Sequence, residues 1–261
     1  MTTHFIDGIA VEVEGEGTPV VCIHGLGGSS NNWTPVMKAL RDRMTIRIDM
    51  PGSARSAGAA TFPLSIQVLV DAVVKVCSRL EIRGAHFLGH SLGTIVCQHA
   101  AVQQPALVRS LALFGPLACP PDAARPNIRA RGQKAHSEGI VGMQVIADQV
   151  VQGATSTATK EFAPIACALV RESVMRQDAQ AYGNSCLALA DAQSADLESI
   201  KVPTLLITGD EDGVAPPSNV QELSKRVAGS RVHVLNKCGH WTTFERPQEC
   251  TDLLSEFLAR N

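Results

Sequence analysis

Apolar positions along this chain recur with two periods. From Ile9 to Glu14 they alternate with polar ones, as in a half-buried edge strand. After the turn residues Gly15-Glu16-Gly17, a shorter and nearly unbroken apolar run, Val20 to Ile23, reads as a buried strand. Runs at Met44 to Ile48, Ala85 to Leu88, Val108 to Phe114, Thr204 to Thr208 and Arg231 to Leu235 have the same character. Between them the spacing becomes that of helices, at Thr34 to Leu40, Leu64 to Leu80, from Ser91 until Gln104-Pro105 ends the pattern, and Gln248 to Ala259. Strands alternating with helices predict an α/β fold, a mostly parallel sheet covered on both faces.

From Gly115 to Val202 the alternation stops and only helical patterns remain, at Asn127 to Ser137, Ile140 to Val151, Ala163 to Arg176 and Asp178 to Asp191. The rigid turn Cys119-Pro120-Pro121-Asp122 opens this stretch. We therefore divide the chain into a core, residues 1–116 and 201–261, and a helical insertion, residues 117–200. Ile140, Met143, Val145, Ile146 and Val150, with Ile165, Leu169, Val170 and Met175, are expected to hold the insertion together rather than line a pocket.

Composition narrows the function classes. The 261 residues are 45% hydrophobic and 18% charged, enough for one large α/β domain with an inserted piece. A net charge of −2 gives no basic face, so neither nucleic acid nor an anionic membrane is an expected partner, and a small-molecule substrate is. Eight cysteines without C-x-x-C spacing read as reduced core residues. The start of the chain lacks the pattern of a signal peptide, and no apolar run reaches membrane-spanning length, which predicts a soluble cytoplasmic protein.

Chemistry enters at Gly89-His90-Ser91-Leu92-Gly93, where an apolar strand stops at a serine flanked by glycines and a helix begins at once. A strand that turns sharply into a helix presents its central residue in strained geometry, and the positions two residues either side must lack bulk. Ser91 is the candidate nucleophile. A serine hydroxyl needs a base within hydrogen-bond reach, itself oriented by an acid. In a parallel sheet such partners come from loops at the carboxyl ends of other strands. His240 follows the last strand and Asp212 the one before it, so the order is nucleophile, acid, base. Asp210 and Asp122 are alternative acids. Among the other histidines, His86 and His233 lie in strands, His99 in a helix, His90 too close to Ser91 to turn back on it, and His4 and His136 without supporting context.

The loop His24-Gly25-Leu26-Gly27-Gly28-Ser29-Ser30 follows a strand, and its glycines free backbone N–H groups to face a ligand. The N–H of Leu26 is expected to join that of Leu92 at a helix N-terminus as an oxyanion hole. Gly25-x-Gly27 with Asp49 further on imitates a dinucleotide fingerprint, but Ser30 stands where that motif wants glycine. No cofactor and no metal is expected.

With the elbow, the His24-Gly25 loop, Asp49-Met50-Pro51-Gly52, Gly209-Asp210-Glu211-Asp212 and Gly239-His240-Trp241 in view, the chain resembles the α/β-hydrolase superfamily over nearly its whole length. The resemblance implies an eight-stranded sheet, a helical cap in the inserted segment, and an acyl-enzyme mechanism carried by Ser91, Asp212 and His240 with Leu26 and Leu92 donating from backbone. The segments around Arg129-Ala130-Arg131-Gly132 and Gly142-Met143-Gln144-Val145 look like those of 3-oxoadipate enol-lactonases and their esterase relatives. His90 and Ala54 depart from that pattern, and the departures bear on substrate.

Trp33 and Trp241 are candidates for an apolar acyl pocket, and one of Arg125, Arg129, Arg131, Arg171 and Arg176 for a substrate carboxylate. The expected activity is hydrolysis of a small carboxylic ester or lactone. The alternatives are carbon–carbon hydrolysis of a ring-cleavage diketone and a ligand-sensing scaffold with slow turnover.

Overall fold

The computed structural model describes residues 1–59 and 63–261. Its strands are β1 (Thr2–Ile6), β2 (Ile9–Glu14), β3 (Thr18–Ile23), β4 (Arg43–Ile48), β5 (Ala85–His90), β6 (Val108–Phe114), β7 (Thr204–Gly209) and β8 (Arg231–Leu235). They form one sheet in the order β1-β2-β4-β3-β5-β6-β7-β8. β1 and β2 run antiparallel to their neighbours, and β4 to β8 form a parallel block with β3. Chain order reverses at β3, which pairs with β4 on one side and β5 on the other. Such a reversal leaves a crevice outside the carboxyl ends of the strands, the usual ligand position in an open α/β sheet.

β1 has no counterpart in the apolar pattern, because its side chains face solvent and carry no alternation that burial would impose. The turn Asp7-Gly8, with φ of 50° and 83°, closes it onto β2.

Successive strand residues feed opposite faces of the sheet. Val21, Ile23, Phe87, Leu111 and Leu113 pack against α1 (Ile66–Arg79) and α2 (Leu92–Gln103). Val20, Cys22, Leu88, Phe114 and Ile207 pack against the 3₁₀ segment Ser30–Leu40 and the terminal helix Pro247–Ala259. Burial of each such side chain contributes roughly 1.5–3 kcal/mol. All eight cysteines are free, six of them buried. Among the described residues no helix is long and apolar enough to cross a membrane.

Between β6 and β7 the described residues form helices and no strand. α3 (Arg125–Ala154) joins the two expected patterns into one element with a break at Gly139. α4 (Thr157–Phe162), which the pattern does not announce, precedes α5 (Pro164–Met175) and α6 (Ala179–Asp191). Met143, Ile146 and Val170 build the interior of this insertion with Tyr182, Cys186 and Trp241. Ile140, Ile165 and Leu169 do not hold it together as expected: they are 82%, 76% and 47% exposed. Helical spacing selects a face without saying whether anything covers it. Two further helices, α7 (Pro217–Arg226) and α8 (Thr242–Glu245), complete the chain before the terminal helix, α9 (Pro247–Ala259).

Candidate active site

Ser91 stands between β5 and α2 with φ 51° and ψ −119°. A non-glycine residue in that region costs about 1–3 kcal/mol, and the surrounding structure must hold it there. Part of that hold is the Ser91 N–H, which donates to Phe114 O at 2.9 Å and extends the β5–β6 pairing past the end of the strand. The first turn of α2 lies hard against the end of β3: a Cβ on Gly93 would sit 2.2 Å from Ile23 O. Only glycine fits, and the elbow is thereby pressed onto the loop that begins at His24.

The structure joins Asp212 and His240. His240 Nδ1 donates to Asp212 Oδ2 at 2.8 Å, and the N–H groups of Val214 and Ala215 each donate to Oδ1 at 2.8 Å. Burial alone would raise the Asp212 pKa, but His240 and these amides outweigh it and hold the carboxyl below its ordinary value. With the Nδ1 proton so engaged, His240 Nε2 is left as the acceptor, and it is buried with no hydrogen-bond partner, Ser91 Oγ included. The imidazole lies over the end of β6, where a Cβ on Gly115 would be 2.7 Å from His240 Cε1. Asp210 and Asp122 are placed otherwise. Asp210 Oδ1 accepts from Cys238 N at 3.0 Å, and the exposed Asp122 pairs with Arg125.

The His24 loop is fixed from both ends. His24 Nδ1 donates to Gly25 O at 2.8 Å, Gly28 N–H donates to the same oxygen at 3.0 Å, and Met50 N–H donates to His24 Nε2 at 2.9 Å. Burial lowers the pKa of the ring. Two donors on Gly25 O orient the 25–26 peptide, and in a trans peptide the Leu26 N–H then points the opposite way. Leu92 opens α2, where N–H groups have no partner within the helix. From the insertion, Ser173 Oγ donates to Gly27 O at 2.8 Å, and Gln177 Nε2 donates to Gly27 O and Gly28 O. Gln177 Oε1 accepts from the N–H of Ala54, whose φ of 45° is the conformation glycine adopts freely.

Asp49, the false ribose-binding acid, is buried and anchors this loop instead. Its Oδ1 accepts from Ser30 N at 2.7 Å, and its Oδ2 pairs with Arg55 Nε at 2.6 Å. Arg55 continues to Glu12, and Glu12 to Arg47, at 3.0 and 2.8 Å.

Several residues do work that their sequence positions do not announce. His90 Nε2 donates to His240 O at 2.9 Å, and its ring centroid is 5.0 Å from that of His240. Glu245 lies buried beneath the His240 loop. Trp241 packs between the His90 ring and the interior of the insertion, with Leu26, Val174 and Tyr182 in the same apolar cluster. Trp33 is a core residue, fully buried and edge-on to Phe114 at 5.6 Å, and forms no pocket wall. His86 bonds Ser110, His99 and His136 bond backbone carbonyls, His4 is exposed on β1, and His233 lies on β8.

Of the candidate arginines, Arg125, Arg129 and Arg171 are engaged by Asp122, Asp191 and Asp148. Among the described residues no carboxylate pairs with Arg131 or Arg176. Arg176 lines an open groove of about 360 Å³ with Ser29, Thr34, Leu169, Ser173 and Phe244, which includes none of Ser91, Asp212 and His240. Those three are only 7%, 2% and 5% exposed. Among the described residues no cluster of three or more His, Cys, Asp or Glu is placed to hold a metal ion.

The chain is similar to known hydrolases of several specificities. It is 26% identical, over 94% of its length and 76% of the relative's, to a monoacylglycerol lipase of Mus musculus. It is 28% identical, over 94% of its length and 88% of the relative's, to 2-hydroxymuconate semialdehyde hydrolase of Pseudomonas sp. (strain CF600). Among solved structures, an enol-lactonase from Burkholderia xenovorans superposes with a TM-score of 0.89 at 26% identity, covering 99% of this chain and all of that one. The sequence matches the alpha/beta hydrolase family over residues 20–253, a span that takes in the His24 loop, the elbow and the His240 loop, and the chain belongs to that family.

Proposed function

We propose that the protein is a serine hydrolase that cleaves a small carboxylic ester or lactone through an acyl-enzyme intermediate. The observation that carries this reading is the Asp212–His240 pair, whose hydrogen bond occupies Nδ1 and leaves Nε2 as the acceptor. Ser91 Oγ attacks the substrate carbonyl carbon while His240 Nε2 takes its proton, and Asp212 stabilises the imidazolium. The tetrahedral oxyanion is bound by the N–H groups of Leu26 and Leu92. Collapse breaks the bond to the leaving oxygen, which receives the proton from His240. Water, deprotonated by the same nitrogen, then releases the acid and restores Ser91. The small exposure of Ser91 and His240 favours a compact substrate. The enol-lactonase likeness supports the same substrate class.

A panel of p-nitrophenyl esters and five- and six-membered lactones tests this reading, with Ser91→Ala as control. At least one compound should be turned over repeatedly, and the variant should lose at least about a thousandfold in kcat. Turnover retained by Ser91→Ala rejects the assignment. Carbon–carbon hydrolysis remains a second reading, favoured by the similarity to 2-hydroxymuconate semialdehyde hydrolase. Product analysis on a vinylogous diketone separates the two.

A further inference from the structure

We propose that Glu245 is a positioning residue that holds the base and makes its alignment depend on the seating of the helical insertion. The inference rests on His240 being the base. Glu245 is 4% exposed, and its carboxylate receives only donors. Oε2 accepts from Gly239 N–H at 2.9 Å, and Oε1 from Trp241 N–H at 3.1 Å, so one side chain grips the residues on both sides of His240. The same Oε2 accepts from Ser156 N–H and from Thr159 Oγ1, both at 2.8 Å, and those residues belong to the start of α4 in the insertion.

The insertion also touches the base itself, and the acid loop. His240 N–H donates to Ala154 O at 2.9 Å, where α3 ends. Glu211, next to Asp212, accepts from both the N–H and the hydroxyl of Thr157 at 2.8 Å. The segment from Ala154 to Thr159 is therefore bonded to both loops that carry the paired side chains. A neutral pairing does not substitute for the Glu245 contacts. Four donors converge on two oxygens, and an amide in their place turns one acceptor into a donor facing another N–H. Displacing a base by about 1 Å can cost about a hundredfold in rate.

The test uses Glu245→Gln, Thr159→Val and Thr159→Ser in the full chain, with kcat expressed per active site titrated by a fluorophosphonate. Glu245→Gln should lower kcat at least about tenfold with KM changed by less than about threefold. Thr159→Val, which removes the hydroxyl that donates to Oε2 and accepts from Ser156 Oγ, should lower kcat several-fold at unchanged KM, and Thr159→Ser, which keeps the hydroxyl, should restore it. In the double variant the two losses should not add, because both act through Oε2. A role confined to stability would reduce the titratable fraction and the melting temperature but leave kcat per titrated site unchanged. That result overturns the proposal. If Glu245→Gln does not fold, the Thr159 pair decides alone. Failure of the catalytic reading is seen separately, as turnover surviving in Ser91→Ala or His240→Ala.

Discussion

His90 Nε2 donates to the carbonyl oxygen of His240 at 2.9 Å, so the residue before Ser91 holds the backbone of the residue read as the base. The elbow and the His240 loop are thus joined by a bond spanning 150 positions in sequence. It is a neutral bond. Burial first, and then the neighbouring His240 ring, push the His90 pKa down to about 3.

Replacing His90 by Phe keeps a ring against Trp241 but leaves His240 O buried without its donor. Such an orphaned acceptor costs about 1–3 kcal/mol, and the freed loop should lower kcat about tenfold with a smaller effect on KM. Thermal melts and steady-state kinetics on the best ester of the panel check both numbers. Wild-type kcat in this variant would show that the bond does not align the base.

The positions of Ser91, Asp212 and His240 stand out along the chain because each follows an apolar run, and burial forces that run to be apolar. The bonds that aim these groups do not. Glu245 meets Ser156 across 89 positions, and Gln177 meets Gly28 across 149, and neither has a local pattern that names its partner. His24 was within reach, since a histidine opening a glycine loop at a strand end has few donors to satisfy there other than backbone. The exposed Ile140 and Ile165 mark the opposite failure. Their spacing is that of a buried face, but what covers a face is decided by tertiary packing.

Acid should weaken the fold in two stages. His86, bonded to Ser110 Oγ at 2.8 Å, is held to a pKa of about 4 by burial, then by Arg43 and Arg109, and His90 to about 3. Each is neutral when folded and titrates near 6.5 when unfolded, so the unfolded chain binds more protons below that pH. Their contribution is complete above about pH 6.5 and is lost as pH falls, at up to about 1.4 kcal/mol per pH unit for each. Asp49 and Asp212 act lower, because their pKa values lie below the ordinary 3.8 and what they contribute is lost only beneath it. Melting temperature should therefore be level from about pH 7 to about pH 8 and decline steadily toward pH 4. His86→Asn, which keeps a polar partner for Ser110 and does not titrate, should show a shallower decline. A wild-type melting temperature unchanged between pH 7 and pH 4.5 contradicts this account.

Gly115 offers the most direct test of where the base must lie. Its φ is 55°, and an added Cβ would meet His240 Cε1 at 2.7 Å, Nδ1 at 2.8 Å and Asp212 Oδ2 at 3.4 Å. Alanine at this position thus drives a methyl group into the imidazole that shares a proton with Asp212. The strand ends here and β6 itself is paired on both sides, so the sheet should survive at a strain of about 1–3 kcal/mol. The imidazole has no such freedom. To escape the methyl group it must shift relative to Asp212, which strains or breaks the Nδ1 bond and displaces Nε2. Gly115→Ala should therefore fold, with a native circular dichroism spectrum and a lowered melting temperature, and lose about a hundredfold or more in kcat. Its reaction with a fluorophosphonate should slow in parallel, because that reagent needs the same activated serine. A folded variant with wild-type kcat would mean that His240 works from a position other than the one bonded to Asp212.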